Sequence, residues 1–308
     1  MNAILLWTIQ LLAVPALSPL GIGIIRKIKA RLQNRCGAGV LQPYRDLCKL
    51  FGKDETISAD ASWVFKAAPY IIFGVTLAAS AAIPVFSVLA ANPLADLLVF
   101  VYLLAIGNFF LALAGIDTGS AFGGFGSSRE MTVAALAEGG LVFSMLSLAF
   151  AAHSTNLFKI VAVVSTLSPA AFAPLTLSLI AFMIALLAET ARFPFDNPAT
   201  HLELTMIHEA MILEYSGKRL ALIEWSSANK LMIFAILGVN LFFPWGFAAH
   251  GCLVPSLLAF ALVLGKALLV AVFVALVESS MAKMRFFRLP DLLFVSFILS
   301  VLSILLIV

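Results

Sequence analysis

The residues with the clearest chemical potential are five acidic side chains between positions 189 and 214. On a helical wheel Glu209 points away from Glu203 and Glu214 and lies between apolar residues, so this stretch has no clean solvent face. A carboxyl group removed from water has a raised pKa, which allows it to exchange protons near neutral pH. We therefore predict that this stretch is enclosed, either by a partner subunit or around a polar cavity. The five residues are Glu189, Asp196, Glu203, Glu209 and Glu214.

Further ionisable side chains lie within or at the ends of long apolar stretches. Glu138 and Lys266 are inside such stretches, whereas Glu189 and Glu278 stand at their ends. A charge at the centre of a bilayer costs on the order of a few kcal/mol, so it normally pairs with another group or faces a hydrated path. An ordinary interfacial position is the alternative for Glu189 and Glu278, although Arg192 follows Glu189 by three residues. Among these groups we predict a functional role for Glu138 first.

The motifs of several common catalytic and metal sites are incomplete. His208-Glu209 begins a zinc motif whose second histidine would be residue 212, which is Ile212. The glycine-rich stretch 119–126 lacks the Gly-Lys-Ser/Thr end of a phosphate loop and is predicted to be a flexible turn. The sequence holds no G-x-S-x-G motif, and its three cysteines show no C-x-x-C spacing. We therefore predict that this chain binds no metal or cofactor of its own.

Composition identifies the class of protein that must position these groups. Of 308 residues, 62% are hydrophobic and 11% are charged, against about 25% charged residues in a typical soluble domain. With a mean hydropathy of +1.08, the chain is predicted to be an all-α integral membrane protein. This composition excludes a secreted disulfide scaffold and a disordered regulator. The net charge of +3 is too small for a nucleic-acid partner.

Eight stretches are long and apolar enough to cross a bilayer as helices. The loops after odd-numbered spans hold 17 Lys and Arg residues, counting Lys230 at the start of the sixth span, and those after even-numbered spans hold one, which places both termini outside. We predict one polytopic domain, 1–308, with cytoplasmic docking loops at about 26–67, 117–130, 191–228 and 279–289. The predicted spans are 2–25, 68–91, 95–116, 131–152, 170–190, 229–248, 255–278 and 290–308.

Short helices are predicted between the spans. Pro43 suits the first turn of a helix whose apolar stripe lies either on lipid headgroups or against a soluble partner. A second helix is predicted at 200–214 and is expected to stop at Gly217. The apolar run 157–167 is too short for a ninth span and is predicted to be interfacial.

Four sequence blocks resemble the membrane anchor subunit shared by respiratory complex I and the energy-converting nickel–iron hydrogenases, including formate hydrogenlyase. The eight-span topology agrees as well, so the resemblance covers nearly the whole chain. Because Tyr44-Arg45-Asp46 and Asp117-Thr-Gly-Ser120 are similar to the hydrogenase branch, we favour that branch. Ala38 and the stretch 197–201 depart from both branches, which leaves the owning complex open. The blocks are Arg31–Lys53, Asp117–Ser120 with Ser128–Glu130, Phe193–Gly217 and Glu278–Ala282.

The resemblance implies roles for individual residues. Glu138, Glu189, Asp196, Glu203 and Glu214 would line a hydrated proton path, and we add three groups that match less closely or stand inside or beside the membrane. The three added groups are Glu209, Glu278 and Lys266; Arg129 and Arg192 would be charge partners; and Arg35, Gln42, Tyr44, Arg45, Asp46, Lys49, Asp117, Glu130 and Tyr215 would dock partners.

The resemblance also implies a non-catalytic subunit that couples redox chemistry to proton translocation in a bacterial or archaeal inner membrane. Its partners would be an iron–sulfur small subunit, a nickel–iron large subunit, antiporter-like membrane subunits and membrane lipids. The iron–sulfur clusters and the nickel–iron centre would belong to those partners. Two alternatives are a quinone-chamber subunit of a complex I-type enzyme and a stand-alone secondary transporter, which the absence of visible inverted repeats disfavours.

Overall fold

A computed structural model describes residues 3–58, 60–87, 94–167, 172–197, 206–247 and 253–307. Eight helices in this part of the chain are long and apolar enough to cross a membrane, and the described residues form no strand. The predicted all-α fold with eight spans is therefore confirmed. The spans are formed by α1 (Ala3–Leu32), α3 (Trp63–Ala82), α4 (Leu97–Asp117), α5 (Ala121–Ala152), α7 (Phe172–Glu189), α9 (Gly217–Phe242), α10 (Leu253–Ser280) and, with the 3₁₀ turn Phe286–Arg288 before it, α11 (Leu289–Ile307).

Several helices extend beyond the predicted spans. Helix α5 begins at Ala121, so the residues up to Glu130 form its first turns and the predicted flexible turn at 119–126 is wrong. Helix α9 begins at Gly217, twelve residues before the predicted span, and this glycine starts a helix instead of stopping one. An apolar window detects only the part of a helix at the depth of the hydrocarbon, and polar turns that continue past it escape detection.

Three short helices lie between the spans: α2 (Gln42–Phe51), α6 (Leu157–Val164) and α8 (His208–Ile212). Helix α2 confirms the prediction based on Pro43, and its Phe51 ring packs edge-on against Trp225 of α9. With eight residues, α6 is too short to cross a bilayer, in accord with the prediction.

Helix α8 is shorter than the helix predicted at 200–214. It ends at Ile212 because the next residues turn toward the start of α9, where the Tyr215 amide donates to the Ile212 carbonyl. Residues 198–205, which include Glu203, lie outside the described residues.

The core brings the loop after α7 against the middle of the bundle. Helix α5 packs against α4, α7 and α11, and α9 packs against α1, α3 and α10. Helices α4 and α5 approach closely at Gly115 and Gly123, where a Cβ added to Gly123 would lie 2.1 Å from the Gly115 carbonyl oxygen. Small residues at such crossings let membrane helices pack by backbone contact. The end of α7 is buried in this bundle, where it packs against α5 and α9 and Glu189 accepts a hydrogen bond from Asn108 of α4.

Candidate functional site

The end of α7 carries a buried carboxylate with a lysine partner. Glu189 is 6% exposed, and its Oε2 atom lies 2.8 Å from Nζ of Lys230 on α9. Asn108 of α4 bridges the pair, since its amide donates to Glu189 Oε2 at 3.2 Å and its Oδ1 accepts from Lys230 at 2.8 Å. The other carboxylate oxygen, Oε1, is buried without a hydrogen-bond partner among the described residues. Lys230 and Asn108 both bind Oε2, and Oε1 is left to accept a further hydrogen bond.

Two further glutamates on α5 lie near this pair. Glu130 is 8% exposed and shares with Glu189, His208 and Lys230 the wall of a cavity of about 50 Å³. Glu138, two turns further along α5, is half-buried and has no hydrogen bond or ion pair within the described ranges. A cavity of this size has room for ordered water, which needs about 10–15 Å³ per molecule and two to four polar partners. The polar wall supplies such partners.

A second buried carboxylate is held by two cations. Glu278 at the end of α10 is 5% exposed, and its Oε1 lies 2.9 Å from Arg192 while its Oε2 lies 3.1 Å from Lys29. Lys29 also stands 5.0 Å from the centre of the Phe193 ring. Arg192, predicted as a charge partner, therefore pairs with Glu278 and not with Glu189: the chain turns after α7, and the guanidinium points to α10.

The third buried carboxylate joins the fifth and seventh loops. Asp196 Oδ1 lies 2.6 Å from Nζ of Lys283, and Oδ2 accepts the backbone N–H of His208 at 3.0 Å. Desolvation beside the positive groups Lys230 and Arg192 lowers the pKa of His208 to about 4, against a smaller opposing effect of Asp196. The imidazole is therefore neutral at pH 7. Asp196 thus ties the start of α8 to the loop before α11.

A larger polar cavity of about 620 Å³ lies between these ion pairs and helix α2. Glu209 of α8 and Glu224 of α9 both line it, together with Arg26. Burial, with the Glu224 and Asp196 carboxylates nearby, raises the pKa of Glu209 to about 7, which Arg26 only partly offsets. This carboxyl therefore changes its charge in the neutral pH range.

The comparisons with known proteins agree with this architecture. Residues 4–308 match the family described as NADH dehydrogenase. The chain belongs to the NADH dehydrogenase family.

Within this family the chain is 38% identical over 295 residues to formate hydrogenlyase subunit 4 of Escherichia coli (strain K12), a match that covers 94% of each chain. It is 37% identical to hydrogenase-4 component C of the same organism, over 93% of this chain and 90% of the other. A subunit of the NADH-quinone oxidoreductase of Syntrophotalea carbinolica is 30% identical, over 86% of this chain and 82% of the other. The resemblance inferred from the sequence motifs is confirmed.

The same fold occurs in a solved structure. A chain of the membrane-bound sulfane sulfur reductase, an archaeal respiratory membrane complex, matches with a TM-score of 0.83 over the full length of both chains at 21% identity. The arrangement of spans and loops is therefore shared with a subunit of that membrane complex.

Not every predicted relay residue of this family member joins the buried ion pairs. Glu214 is exposed and has no ion pair in the part of the chain that the structure describes. Lys266 donates to the carbonyls of Phe243 (2.7 Å) and Trp245 at the end of α9. It lies twelve residues from Glu278 on α10, which is about 18 Å along a helix. Its ammonium thus caps a helix end far from the carboxylates.

The predicted docking residues divide into exposed and structural groups. Arg35, Arg45 and Lys49 are exposed, as a docking surface requires. Tyr44 anchors α2 by donating to the Ala16 carbonyl at 2.5 Å. Arg129, predicted as a charge partner and not as a docking residue, donates to the Met206 carbonyl at 3.2 Å.

The remaining docking candidates stabilise the chain itself. Gln42 donates to Asp46 at 2.8 Å, and Asp46 also lies 4.0 Å from Arg26. Asp117 accepts three hydrogen bonds from the start of α3, and Tyr215 stacks on Phe65 with ring centres 3.9 Å apart. Glu130 faces the small cavity instead of the surface. Asp117, Tyr215 and Glu130 therefore form contacts within the chain, and their docking role stays a prediction.

Sequence reasoning missed the cations that hold the carboxylates. Lys29 looked like one member of a basic loop, and Lys283 looked like one of three basic residues before the last span. Lys230 gave the one usable signal, because it stands in an otherwise apolar segment that the structure places inside α9. The pairing of these residues depends on contacts between distant helices.

Proposed function

We propose that this chain is the membrane anchor and charge-relay subunit of an energy-converting hydrogenase or formate hydrogenlyase-like complex. Its family membership and its identity to formate hydrogenlyase subunit 4 and hydrogenase-4 component C support this proposal. Its task is to hold redox subunits at the membrane and to convert their chemistry into movement of charge.

The observation that carries the proposal is the series of buried ion pairs from the cytoplasmic loops to the membrane interior. The pair Asp196–Lys283 joins two loops, Glu278–Arg192 joins the end of α10 to the loop after α7, and Glu189–Lys230 joins the end of α7 to α9. Two unit charges 4 Å apart interact by about 4 kcal/mol at an effective dielectric constant of 20. His208 is within electrostatic reach of Asp196, Arg192 and Lys230, one member of each pair. In this proposal a change of charge beside one pair shifts the balance of the next, so that a redox event at the loops reaches Glu189.

The proposed partners are those that the family resemblance implies, and an exposed basic surface could bind them. Exposed basic residues on the cytoplasmic side, including Arg35, Arg45 and Lys49, would dock an iron–sulfur small subunit and a nickel–iron large subunit, and antiporter-like subunits would lie beside the spans. The metal centres belong to those partners in this proposal. The organisation suits a bacterial or archaeal inner membrane.

Replacing Glu189 with Gln tests the relay. The Gln side chain keeps the shape but loses the charge that Lys230 neutralises. We therefore expect the assembled complex to retain redox turnover, while redox-driven proton movement falls at least tenfold. Asp60→Asn, an exposed acidic position on the first loop, is the matched control and should keep both. Full proton movement in a normally assembled Glu189→Gln complex would contradict the relay.

A quinone-chamber role is the second candidate, and the 620 Å³ cavity beside α2 favours it together with the NADH-quinone oxidoreductase relatives. It predicts that turnover of the same purified complex depends on added quinone. The hydrogenase-type proposal predicts turnover without quinone.

A further inference from the structure

An apolar groove of about 310 Å³ runs between α1, α9 and α10, away from the ion pairs. Among the described residues that line it, Ser18 alone has a polar side chain. The Ser18 hydroxyl is already engaged, since it donates to Asn229 Oδ1 at 2.6 Å. The groove thus presents a hydrocarbon surface, and its walls come from membrane-spanning segments.

Two glycines keep this groove open. A Cβ built on Gly265 of α10 would meet no atom within 4 Å, and one built on Gly21 of α1 would meet only the Met232 sulfur, at 4.0 Å. Neither glycine is required by a close helix crossing, in contrast to Gly123. A glycine inside a helix costs about 1 kcal/mol relative to alanine, so space is kept here at the expense of helix stability.

The cytoplasmic end of the groove is positively charged. Arg31 follows Ile24 by seven residues on α1, which places it on the same helix face about 10 Å beyond the groove. It is exposed and forms no ion pair within the described residues. The acidic group at the corresponding end of α10, Glu278, is already neutralised by Lys29 and Arg192. Arg31, Lys29 and Arg192 together with Glu278 carry a net charge of +2.

We propose that this groove binds one acyl chain of an anionic phospholipid of the cytoplasmic leaflet, with its phosphate at Arg31. The apolar walls match the acyl chain, and the surplus positive charge matches an anionic headgroup. Because the acyl chain would touch both α1 and α10, the lipid would hold Lys29 of α1 close to Glu278 of α10. The site does not depend on the proposed redox function.

Lipid retention tests this site in the full chain, purified in mild detergent with the subunits that accompany it. Wild type is expected to retain phosphatidylglycerol in preference to phosphatidylcholine. Gly265→Leu fills the groove and should lower this retention about tenfold, because the loss of apolar contacts by roughly two methylene groups of the lipid corresponds to a change of that size. Arg31→Gln should lower it about fivefold by removing one headgroup charge. Gly74→Leu, in open space on α3, and Lys159→Gln, exposed on α6, are the matched controls and should retain the lipid.

Unchanged retention in Gly265→Leu, or equal retention of phosphatidylcholine, would overturn the proposal. A second measurement needs no variant: phosphatidylglycerol with a diazirine on its acyl chain is photolysed in the wild-type complex. Labelled peptides should include the segments around Gly21 and Gly265. Labelling confined to other segments, or capture of a partner subunit at the groove, would show that a lipid does not occupy it.

Discussion

The contact between Glu189 and Lys230 has the largest consequence at the scale of single residues. Both groups are largely removed from solvent, and Asn108 fixes their geometry by bonding to each of them. Removal of one partner of such a pair leaves an uncompensated buried charge, which typically costs about 3–5 kcal/mol. The carboxyl can avoid this cost by taking up a proton. Lys230 therefore compensates the buried charge of Glu189.

Replacing Lys230 with Met should lower stability and abolish redox-driven proton movement, because the buried Glu189 carboxylate then loses its only cationic partner among the described residues. Lys230→Arg keeps the positive charge and should preserve part of the proton movement. The double variant Lys230→Met with Glu189→Gln should recover most of the lost thermal stability without restoring proton movement. Melting temperature and proton release per electron are the measurements. If the two single losses of stability simply added in the double variant, the two residues would not be coupled.

At the scale of elements, the junction between the first loop and α9 shows what an apolar pattern misses. Gly217 has φ = +54°, and a Cβ there would lie 2.8 Å from the Asp54 carbonyl oxygen and 3.0 Å from that of Lys53. Arg219, two residues later, pairs with Glu55 across the same junction. The start of α9 is therefore set by a contact with a segment more than 150 residues away.

Gly217→Ala should destabilise the protein by about 2 kcal/mol or more, because the left-handed conformation alone costs a non-glycine residue about 1–2 kcal/mol and the contact with the first loop adds to it. Gly124→Ala is the control, since this helical glycine on α5 faces open space and alanine is the better helix former. Thermal unfolding in detergent measures both. A melting temperature equal to wild type in Gly217→Ala would show that the loop yields to the added methyl group.

The same elements define how much the sequence could predict. Eight spans and helix α2 follow from apolar length and from Pro43, because these signals are local. The first residues of α5 and α9 could not be predicted in this way, since polar turns extend both helices beyond the apolar segments. Glu189 and Glu278 were recognisable as unusual acids, but Arg192 turned out to pair with Glu278. Ion-pair partners are chosen by helix packing, which a single sequence does not display.

At the scale of the whole molecule, the two signs of charge occupy different places. The buried acidic groups Glu189, Asp196 and Glu278 sit in ion pairs, whereas most basic residues of the first loop are exposed. By the positive-inside rule this exposed basic surface faces the cytoplasm. The same surface would attract acidic partners, in an association that salt weakens.

Two native cysteines allow orientation and docking to be tested together. Cys36 and Cys48 are both exposed on the first loop, so in a Cys252→Ala background a membrane-impermeant maleimide should label them in inverted vesicles and not in intact cells. With partner subunits docked they should be protected, and a high-salt wash should increase labelling several-fold because it screens the electrostatic contact. A cysteine introduced at Lys159, on the predicted outer side, should show the opposite sidedness. Labelling of Cys36 or Cys48 in intact cells would invert the topology and place the basic surface where no cytoplasmic partner could reach it.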